Sequence, residues 1–547
     1  MLEGLRATTG DDYPLNMTSL LRHAATTFPD NEIVYRDLNG SWNRTNYREE
    51  FARVSKMAGA LSRLGVGAGD MVGVLDWNSR RHLELYFAVP GLAATMLQLN
   101  LRLASEDLGY VIEHSQASWV CVDESLLPVA EAHRDAPGVK GWIVLSDKPS
   151  DQIETTLPNV VFLEELMKDE PEEYPFEWVE EKTAAYAGYT TGTTGRPKGI
   201  LYSHRAMYLH SMTVISSEKL NYNETVMLVT PMFHVMCWGF PQAAVGAAAR
   251  IILPGRWQAQ DIGVLAEALA EEHVTLANGA PSILTPMLEY YRSLPTPPDL
   301  TGLRIVCGAS EPPLSLMQGF KELTGGEIIH AYGASETSPM ATTNGDFPHT
   351  LPEMSEEEAW DLKRYQGLPM LGVDIKVADL DGNPQPHDGE SAGELLIRGP
   401  WVATSYYNRP DSADSFEDGW WRSGDAGVIC ENGYLKLTDR LKDVIKSGGE
   451  WISSIDMENA ILDNPRVAEA AVIGVPDPKW EERPVAYVVP KEGQEVTEDS
   501  VLDLLAQRFA KWQLPEKIIV SAELPRTSVG KLNKRQMRED YTSEQSN

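Results

Sequence analysis

The chain has 547 residues, with 47 Lys and Arg against 80 Asp and Glu, a net charge of −33. That length exceeds one ordinary domain and points to about three or four domain-sized units. A hydrophobic content of 42% allows a large core and argues against disorder. So acidic a surface disfavours nucleic acid and anionic membranes as partners, and any anion site must be locally basic.

The first residues, Met1-Leu2-Glu3-Gly4-Leu5-Arg6, lack a basic segment followed by an apolar core, so no signal peptide is expected. Thr45 is expected to cap a helix running to Gly65, with Phe51, Val54, Ala58 and Leu61 on one face. Met71 to Leu75 reads as a buried strand, Asn78 to Val89 as a helix, and the runs at Trp119 and Trp142 as further strands. Such alternation predicts parallel sheets covered by helices. Residues 148–182, rich in Pro, Asp and Glu, read as a surface connection. A second alternating region follows, with strands at Val226–Val229 and Arg304–Cys307. The apolar stretch from Phe240 to Pro254 is interrupted by Gln242 and Arg250 and is too short to span a bilayer, so a cytoplasmic location is expected. From about residue 366, short β-like runs separated by Asp-Gly turns predict a small β-barrel. The last segment is α+β, with an amphipathic helix from Ser500 to Lys511. Cys121, Cys237, Cys307 and Cys430 form no CxxC pair, so buried reduced thiols are expected, without zinc or disulfides.

The most informative segment is Thr190-Thr191-Gly192-Thr193-Thr194-Gly195-Arg196-Pro197-Lys198-Gly199. Glycines let backbone amides approach an anion, threonine hydroxyls add donors, and Lys198 adds charge. A polyphosphate suits this loop. It is not a P-loop, because Lys198 sits between Pro197 and Gly199 without a following Ser or Thr.

This loop resembles the signature of the adenylate-forming superfamily: acyl-CoA synthetases, peptide-synthetase adenylation domains and luciferases. Further segments resemble that superfamily's motifs in the same order. They are Pro231-Met232-Phe233-His234-Val235, Gly308-Ala309-Ser310-Glu311-Pro312, Tyr332-Gly333-Ala334-Ser335-Glu336-Thr337, Trp421-Arg422-Ser423-Gly424-Asp425, Asp439-Arg440-Leu441-Lys442-Asp443, and Pro525-Arg526-Thr527-Ser528-Val529-Gly530-Lys531. The segment Lys446-Ser447-Gly448-Gly449-Glu450-Trp451-Ile452-Ser453 looks most like medium- and long-chain fatty acyl-CoA synthetases and methylmercaptopropionate-CoA ligases.

The resemblance implies an α/β fold: a large N-terminal domain, 1–438, of two α/β subdomains (1–182 and 183–365) and a β-barrel (366–438). A hinge at 439–443 and a small mobile α+β domain, 444–547, follow. It implies that MgATP and a carboxylic acid give acyl-AMP and pyrophosphate, and that coenzyme A then accepts the acyl group. The acid expected is a medium- or long-chain fatty acid. The alternatives are a short specialised acid such as 3-methylmercaptopropionate, or another acceptor. An inactive nucleotide sensor is a further alternative, disfavoured because Lys531, Glu336 and Arg440 are all present.

By the same resemblance, Thr190 and Glu336 stand on the Mg²⁺ side, and Lys531 is the catalytic lysine. ATP and AMP contacts fall on Thr191, Gly192, Thr193, Thr194, Gly195, Lys198, Gly308, Ala309, Ser310, Tyr332, Gly333, Ser335, Thr337, Asp425 and Arg440. Tyr332 offers its ring to adenine, Asp425 accepts ribose hydroxyls, and Arg440 donates to ribose or phosphate. His234, Trp238, Gly308 and Pro339 border the acyl pocket, with Trp238 as an indole gate. Lys442 is the hinge residue, and Lys446, Gly448, Gly449 and Trp451 face coenzyme A. A homodimer through the N-terminal domain is also implied. Two departures stand out. Ala309 replaces a usual glycine, and Arg196, expected to be exposed, stands where relatives often carry an apolar or another polar residue; Lys442, where many relatives carry Asp, is an accepted variant.

Overall fold

A computed structural model describes residues 1, 13–190, 196–379, 382–441, 443–447, 450–526 and 532–545. Two large sheets dominate the first 370 residues. One has seven strands, in the order of those beginning at Val160, Gly141, Trp119, Met71, Thr95, Ala184 and Lys198. All are parallel except Lys198–Ser203, which runs antiparallel to Ala184–Thr190. The other has nine strands, beginning at Leu368, Met340, Glu327, Arg304, Leu276, Thr225, Arg250, Glu32 and Trp42. Its central strands are parallel and its edges antiparallel. Strands such as Met71–Leu75 and Trp119–Asp123 are buried throughout, and apolar but for Asp123 at the end of the second, because helices cover both faces.

The two sheets do not divide at residue 182. The hairpin Glu32–Arg36/Trp42–Asn46 crosses into the nine-stranded sheet, where Ile33 pairs with Ile251. The hairpin Ala184–Thr190/Lys198–Ser203 joins the seven-stranded sheet. Periodicity marks a strand but does not say which sheet it joins.

Local differences have simple causes. The first long helix is Tyr47–Arg63, and its cap is Asn46, whose side chain accepts from the amide of Glu49. Thr45 lies within the preceding strand, one residue before its end, and donates instead to Glu49 Oε2 at 2.8 Å. Val54, Ala58 and Leu61 face the core as the spacing predicts. The next helix is Arg80–Ala88, capped by Ser79. Residues 148–182 carry a short strand, Val160–Phe162, and a helical turn, Leu163–Met167, besides loop. The late helix spans Glu498–Leu505, shorter than expected and capped by Thr497. Cys121, Cys237 and Cys307 are buried free thiols, and Cys430 is half-buried.

Strands Asp374–Ala378, Gly393–Arg398, Phe416–Glu417, Trp420–Ile429 and Leu435–Arg440 form an antiparallel sheet where the barrel is expected. Its recorded pairings follow an open path rather than a closed ring. The C-terminal domain packs a five-stranded sheet against helices Ser454–Leu462, Glu498–Leu505 and Lys534–Gln545 around its own cores. It touches the larger domain where Asn459 Nδ2 donates to Glu311 Oε1 at 2.9 Å. Glu311 also pairs with Arg364 at 2.8 Å. Among the described residues, no helix is long and apolar enough to cross a membrane.

Candidate active site

The large sheets, the antiparallel sheet and the C-terminal domain meet at a cavity of about 820 Å³. Thr190 and Lys198 reach it because they close a hairpin: they are register partners at the ends of their strands. The loop between them, Thr191, Gly192, Thr193, Thr194 and Gly195, lies outside the described residues. Lys198 Nζ sits 4.6 Å from the centre of the Tyr406 ring, and the Tyr406 hydroxyl donates to Glu336 Oε1 at 2.5 Å. Burial raises the Glu336 carboxyl above the usual carboxylate range, while the Tyr406 hydroxyl and the charges of Arg440 and Lys198 oppose that rise. Tyr406 belongs to no recognised motif. Its only trace in the sequence is an aromatic pair, Tyr406-Tyr407, in a polar loop.

The segment from Tyr332 to Thr337 turns sharply at the end of strand Glu327–Gly333. Gly333 is required there, since a Cβ would fall 1.9 Å from the Pro339 carbonyl oxygen. Tyr332, Gly333, Ser335, Glu336 and Pro339 line the cavity. Thr337 does not; it is buried and its Oγ1 accepts from the Ala334 amide at 2.9 Å, which holds the turn. Ser310 is exposed and also absent from the lining.

Asp425 stands behind the wall. Its Oδ2 accepts from the Tyr332 hydroxyl at 2.5 Å and its Oδ1 pairs with Arg440 Nε at 2.7 Å. Tyr332 and Arg440 themselves line the cavity, as do Ser423 and Gly424. Strand register explains the pair: Asp425 and Arg440 are direct partners across Trp420–Ile429 and Leu435–Arg440.

The apolar end is formed by His234, Val235, Trp238, Gly308, Ala309, Pro339 and Met340. Trp238 lies over Gly308, whose added Cβ would be 3.5 Å from the indole and 2.9 Å from the Ala331 carbonyl. Trp238 ends an unusual turn: Val235, Met236, Cys237 and Trp238 all have φ between 44° and 60°. Left-handed backbone costs non-glycine residues about 1–2 kcal/mol each. Asn278 offsets part of this by donating to the Cys237 carbonyl at 3.0 Å and accepting from the amides of Val229 and Thr230, each at 3.2 Å. Strain of this kind collects at binding sites.

From the C-terminal side, Arg440, Leu441, Asp443 and Leu532 complete the lining. Lys531, Lys442, Gly448 and Gly449 lie outside the described residues, and so does the side chain of Trp451. Lys446 is exposed and is not part of the cavity. The neighbouring Lys534 is not a free cation: its Nζ pairs with Glu458 at 2.7 Å and donates to Ser454 Oγ at 2.5 Å. Arg196 is exposed and bonds Glu106 at 2.5 Å.

With this geometry in place, comparison with known proteins is decisive. The AMP-binding enzyme family matches residues 21–407, and the AMP-binding enzyme C-terminal domain matches residues 456–531. A long-chain-fatty-acid–CoA ligase of Thermus thermophilus is 41% identical over 97% of this chain and 96% of its own length. A 3-methylmercaptopropionyl-CoA ligase of Ruegeria lacuscaerulensis is 38% identical over 96% of this chain and 97% of its own. A medium-chain-fatty-acid–CoA ligase of Ectopseudomonas oleovorans is 37% identical over 96% and 95%. Among solved structures, a Mycobacterium tuberculosis fatty acyl CoA synthetase superposes with a TM-score of 0.72 at 27% identity, over 98% of this chain and 100% of that one. An anthranilate CoA ligase bound to anthranoyl-AMP shares the fold with a TM-score of 0.85 at 23% identity, covering 99% and 100%. The chain belongs to the AMP-binding enzyme family. Within it, the chain is an AMP-forming acyl-CoA ligase, an acid–thiol ligase that uses ATP and coenzyme A.

Proposed function

We propose that the acid is a medium- or long-chain fatty acid, and that the cavity of about 820 Å³ is where it meets MgATP. One observation carries this reading. A phosphate end (Thr190, Lys198, Glu336), a nucleoside end (Tyr332, Arg440) and an apolar end (His234, Trp238, Pro339) adjoin in a single space.

The first half-reaction brings two anions together. A carboxylate oxygen attacks the α-phosphorus, the bond to the β-phosphate oxygen breaks, and pyrophosphate leaves. The residues' task is to position the anions and offset their repulsion. Lys198 supplies charge at the phosphate end. Tyr332 and Asp425 receive adenine and ribose, and Arg440 orients Asp425 while facing the phosphates. Lys531 bridges the attacking oxygen and the α-phosphate; Leu532 in the lining and the commitment of Lys534 to Glu458 support that choice.

Thr190 and Glu336 would hold Mg²⁺. Both are oxygen donors, and among the described residues no cluster of three or more His, Cys, Asp or Glu could cage a metal. A small donor set suits an ion that keeps much of its shell as water and phosphate. When bound, it supplies neutralising charge to the phosphates.

In the second half-reaction the coenzyme A thiol attacks the acyl carbon and AMP leaves. Lys446, Gly448, Gly449 and Trp451 face the incoming thiol after the C-terminal domain turns about Lys442. Trp238 serves as a gate between the acyl and nucleotide ends. A homodimer through the N-terminal domain and a cytoplasmic location complete the reading; the buried free thiols suit a reducing compartment.

A short sulfur-containing acid is the second reading, favoured by the 38% identity to a 3-methylmercaptopropionyl-CoA ligase. Coenzyme-A-dependent AMP release over straight-chain acids, methylmercaptopropionate and aryl acids separates the two. No turnover with any straight-chain acid overturns the fatty-acid reading. Lys442→Pro should retain acyl-AMP formation and block thioester formation; equal loss in both half-reactions overturns the hinge.

A further inference from the structure

A second cleft, of about 290 Å³, shares no lining residue with the adenylate cavity. It opens at the carboxyl ends of strands Met71–Leu75, Trp119–Asp123 and Gly141–Leu145, where Trp77, Asp123 and Asp147 line it. The strand order reverses here: parallel Met71–Leu75 pairs with Thr95–Gln98 on one side and with Trp119–Asp123 on the other. Crevices at such reversal points are where doubly wound sheets hold ligands.

The lining contains Arg36, Arg53, Arg80, Arg81 and Arg256. Three of these are compensated. Arg53 pairs with Glu84 at 2.6 Å and Glu164 at 2.9 Å, Arg80 with Glu50 at 2.8 Å, and Arg81 with Asp147 at 2.5 Å. Arg36 and Arg256 make no ion pair among the described residues. Arg36 donates to the carbonyls of Gly40 at 3.3 Å and Arg256 at 3.0 Å. Arg256 lies 5.7 Å from the centre of the Trp77 ring. The adjacent carboxylate, Asp37, is committed to its turn, accepting from the amides of Asn39 at 2.9 Å and Ser41 at 2.8 Å and from Asn43 Nδ2 at 3.1 Å. Two uncompensated guanidiniums converge on one cleft in a chain of net charge −33.

We propose that this cleft is a second ligand site that takes a phosphoryl oxyanion, held between the guanidinium forks of Arg36 and Arg256 against the Trp77 indole. Planar guanidinium forks match phosphate oxygens in pairs. The cleft is at the small end of ligand sites, roughly 300–1,000 Å³, which fits phosphate, pyrophosphate or a small phosphomonoester.

The occupant also touches the acyl wall at one remove. Asn78, next to Trp77, donates to the carbonyls of Leu228 at 2.6 Å and Thr230 at 2.9 Å and accepts from the Met232 amide at 2.8 Å. Tyr86, on the helix that begins at the cleft, donates to the Met232 carbonyl at 2.8 Å. Filling the cleft braces the segment that leads into His234.

The test is calorimetric titration of the full chain with inorganic phosphate, pyrophosphate and AMP, in wild type and in Arg36→Gln/Arg256→Gln. Wild type is expected to take two equivalents of pyrophosphate, and the double variant one. Arg256→Gln alone, at an exposed position, should weaken the second equivalent about tenfold if the double variant is unstable. Second-site binding of phosphate or pyrophosphate without AMP assigns a free oxyanion as the source. A second equivalent of AMP assigns a nucleotide phosphate. One equivalent of every ligand in wild type, or two of pyrophosphate in the variants with unchanged affinity, overturns the site. Phosphate should also slow amide hydrogen exchange across residues 228–234 in wild type only; unchanged exchange despite binding overturns the bracing through Asn78.

Discussion

The Tyr332 hydroxyl donates to Asp425 Oδ2 at 2.5 Å, so an aromatic wall of the cavity and the carboxylate behind it form one unit. Arg440 holds the other oxygen, Oδ1, at 2.7 Å. The carboxylate is thus fixed in position before any nucleotide arrives. Burial and the Asp425 charge both push the Tyr332 hydroxyl well above its ordinary titration range, so it remains a donor.

Asp425→Asn preserves shape but removes the charge that pairs with Arg440. A charge-assisted hydrogen bond contributes about 1.5–3 kcal/mol. The KM for ATP in ATP–pyrophosphate exchange should therefore rise about tenfold to a hundredfold. The KM for the acid should move much less. Equal shifts in both would remove the ribose assignment.

Tyr406 and Glu336 make a second coupled pair. Burial raises the Glu336 carboxyl, and the Tyr406 hydroxyl is the first group opposing that rise. The ionised carboxylate is the form that serves the Mg²⁺ side. The acid limb of kcat/KM for ATP should therefore lie above the ordinary carboxylate range. Tyr406→Phe removes the opposing donor and should move that limb further upward. A limb that stays in place would show that Glu336 does not govern it.

Much of this site is legible in the sequence because each motif is local. Tyr332 to Glu336 and Trp421 to Asp425 are short runs whose residue types already state their chemistry. Tyr406 is not legible, since its contact with Glu336 spans 70 positions. The pairing of Asp425 with Arg440 follows from sheet register, which no run of residues shows. The strand Glu32–Arg36 pairs with Arg250–Leu253, more than 200 positions away, and no local pattern shows that partner. Arg36 and Arg256 come together through that same pairing, so the second cleft has no sequence signature at all.

Ala309 borders the cavity with φ of +71°, where the resemblance leads one to expect glycine. A left-handed backbone costs alanine about 1–2 kcal/mol, and glycine escapes that cost while losing more chain entropy on folding. Ala309→Gly should thus be neutral or stabilising by less than about 1 kcal/mol. Ala309→Val, with branching at Cβ, should destabilise by about 2 kcal/mol or more. Thermal midpoints of the two variants check this, and a loss for glycine equal to that for valine would show that the methyl group, not the backbone, matters here.

Asp123 closes the inner end of the second cleft and is almost wholly buried. Burial and the nearby Asp76 push its carboxyl up to about 7. The folded chain therefore binds this proton more tightly than the unfolded chain does. That contribution to stability is complete below the ordinary carboxylate pKa and is lost as the pH rises through about 7. Asp123→Asn abolishes the titration, and its amide oxygen can still accept from Ser125, whose amide lies 2.9 Å from Oδ1. Relative to wild type, the variant should gain on the order of 1 kcal/mol between pH 5 and pH 8. Denaturant melts at the two pH values measure the difference directly. A variant whose relative stability is flat or falls over that range would place the charge of Asp123 in a compensated setting, with a partner at the cleft that stabilises the ionised form.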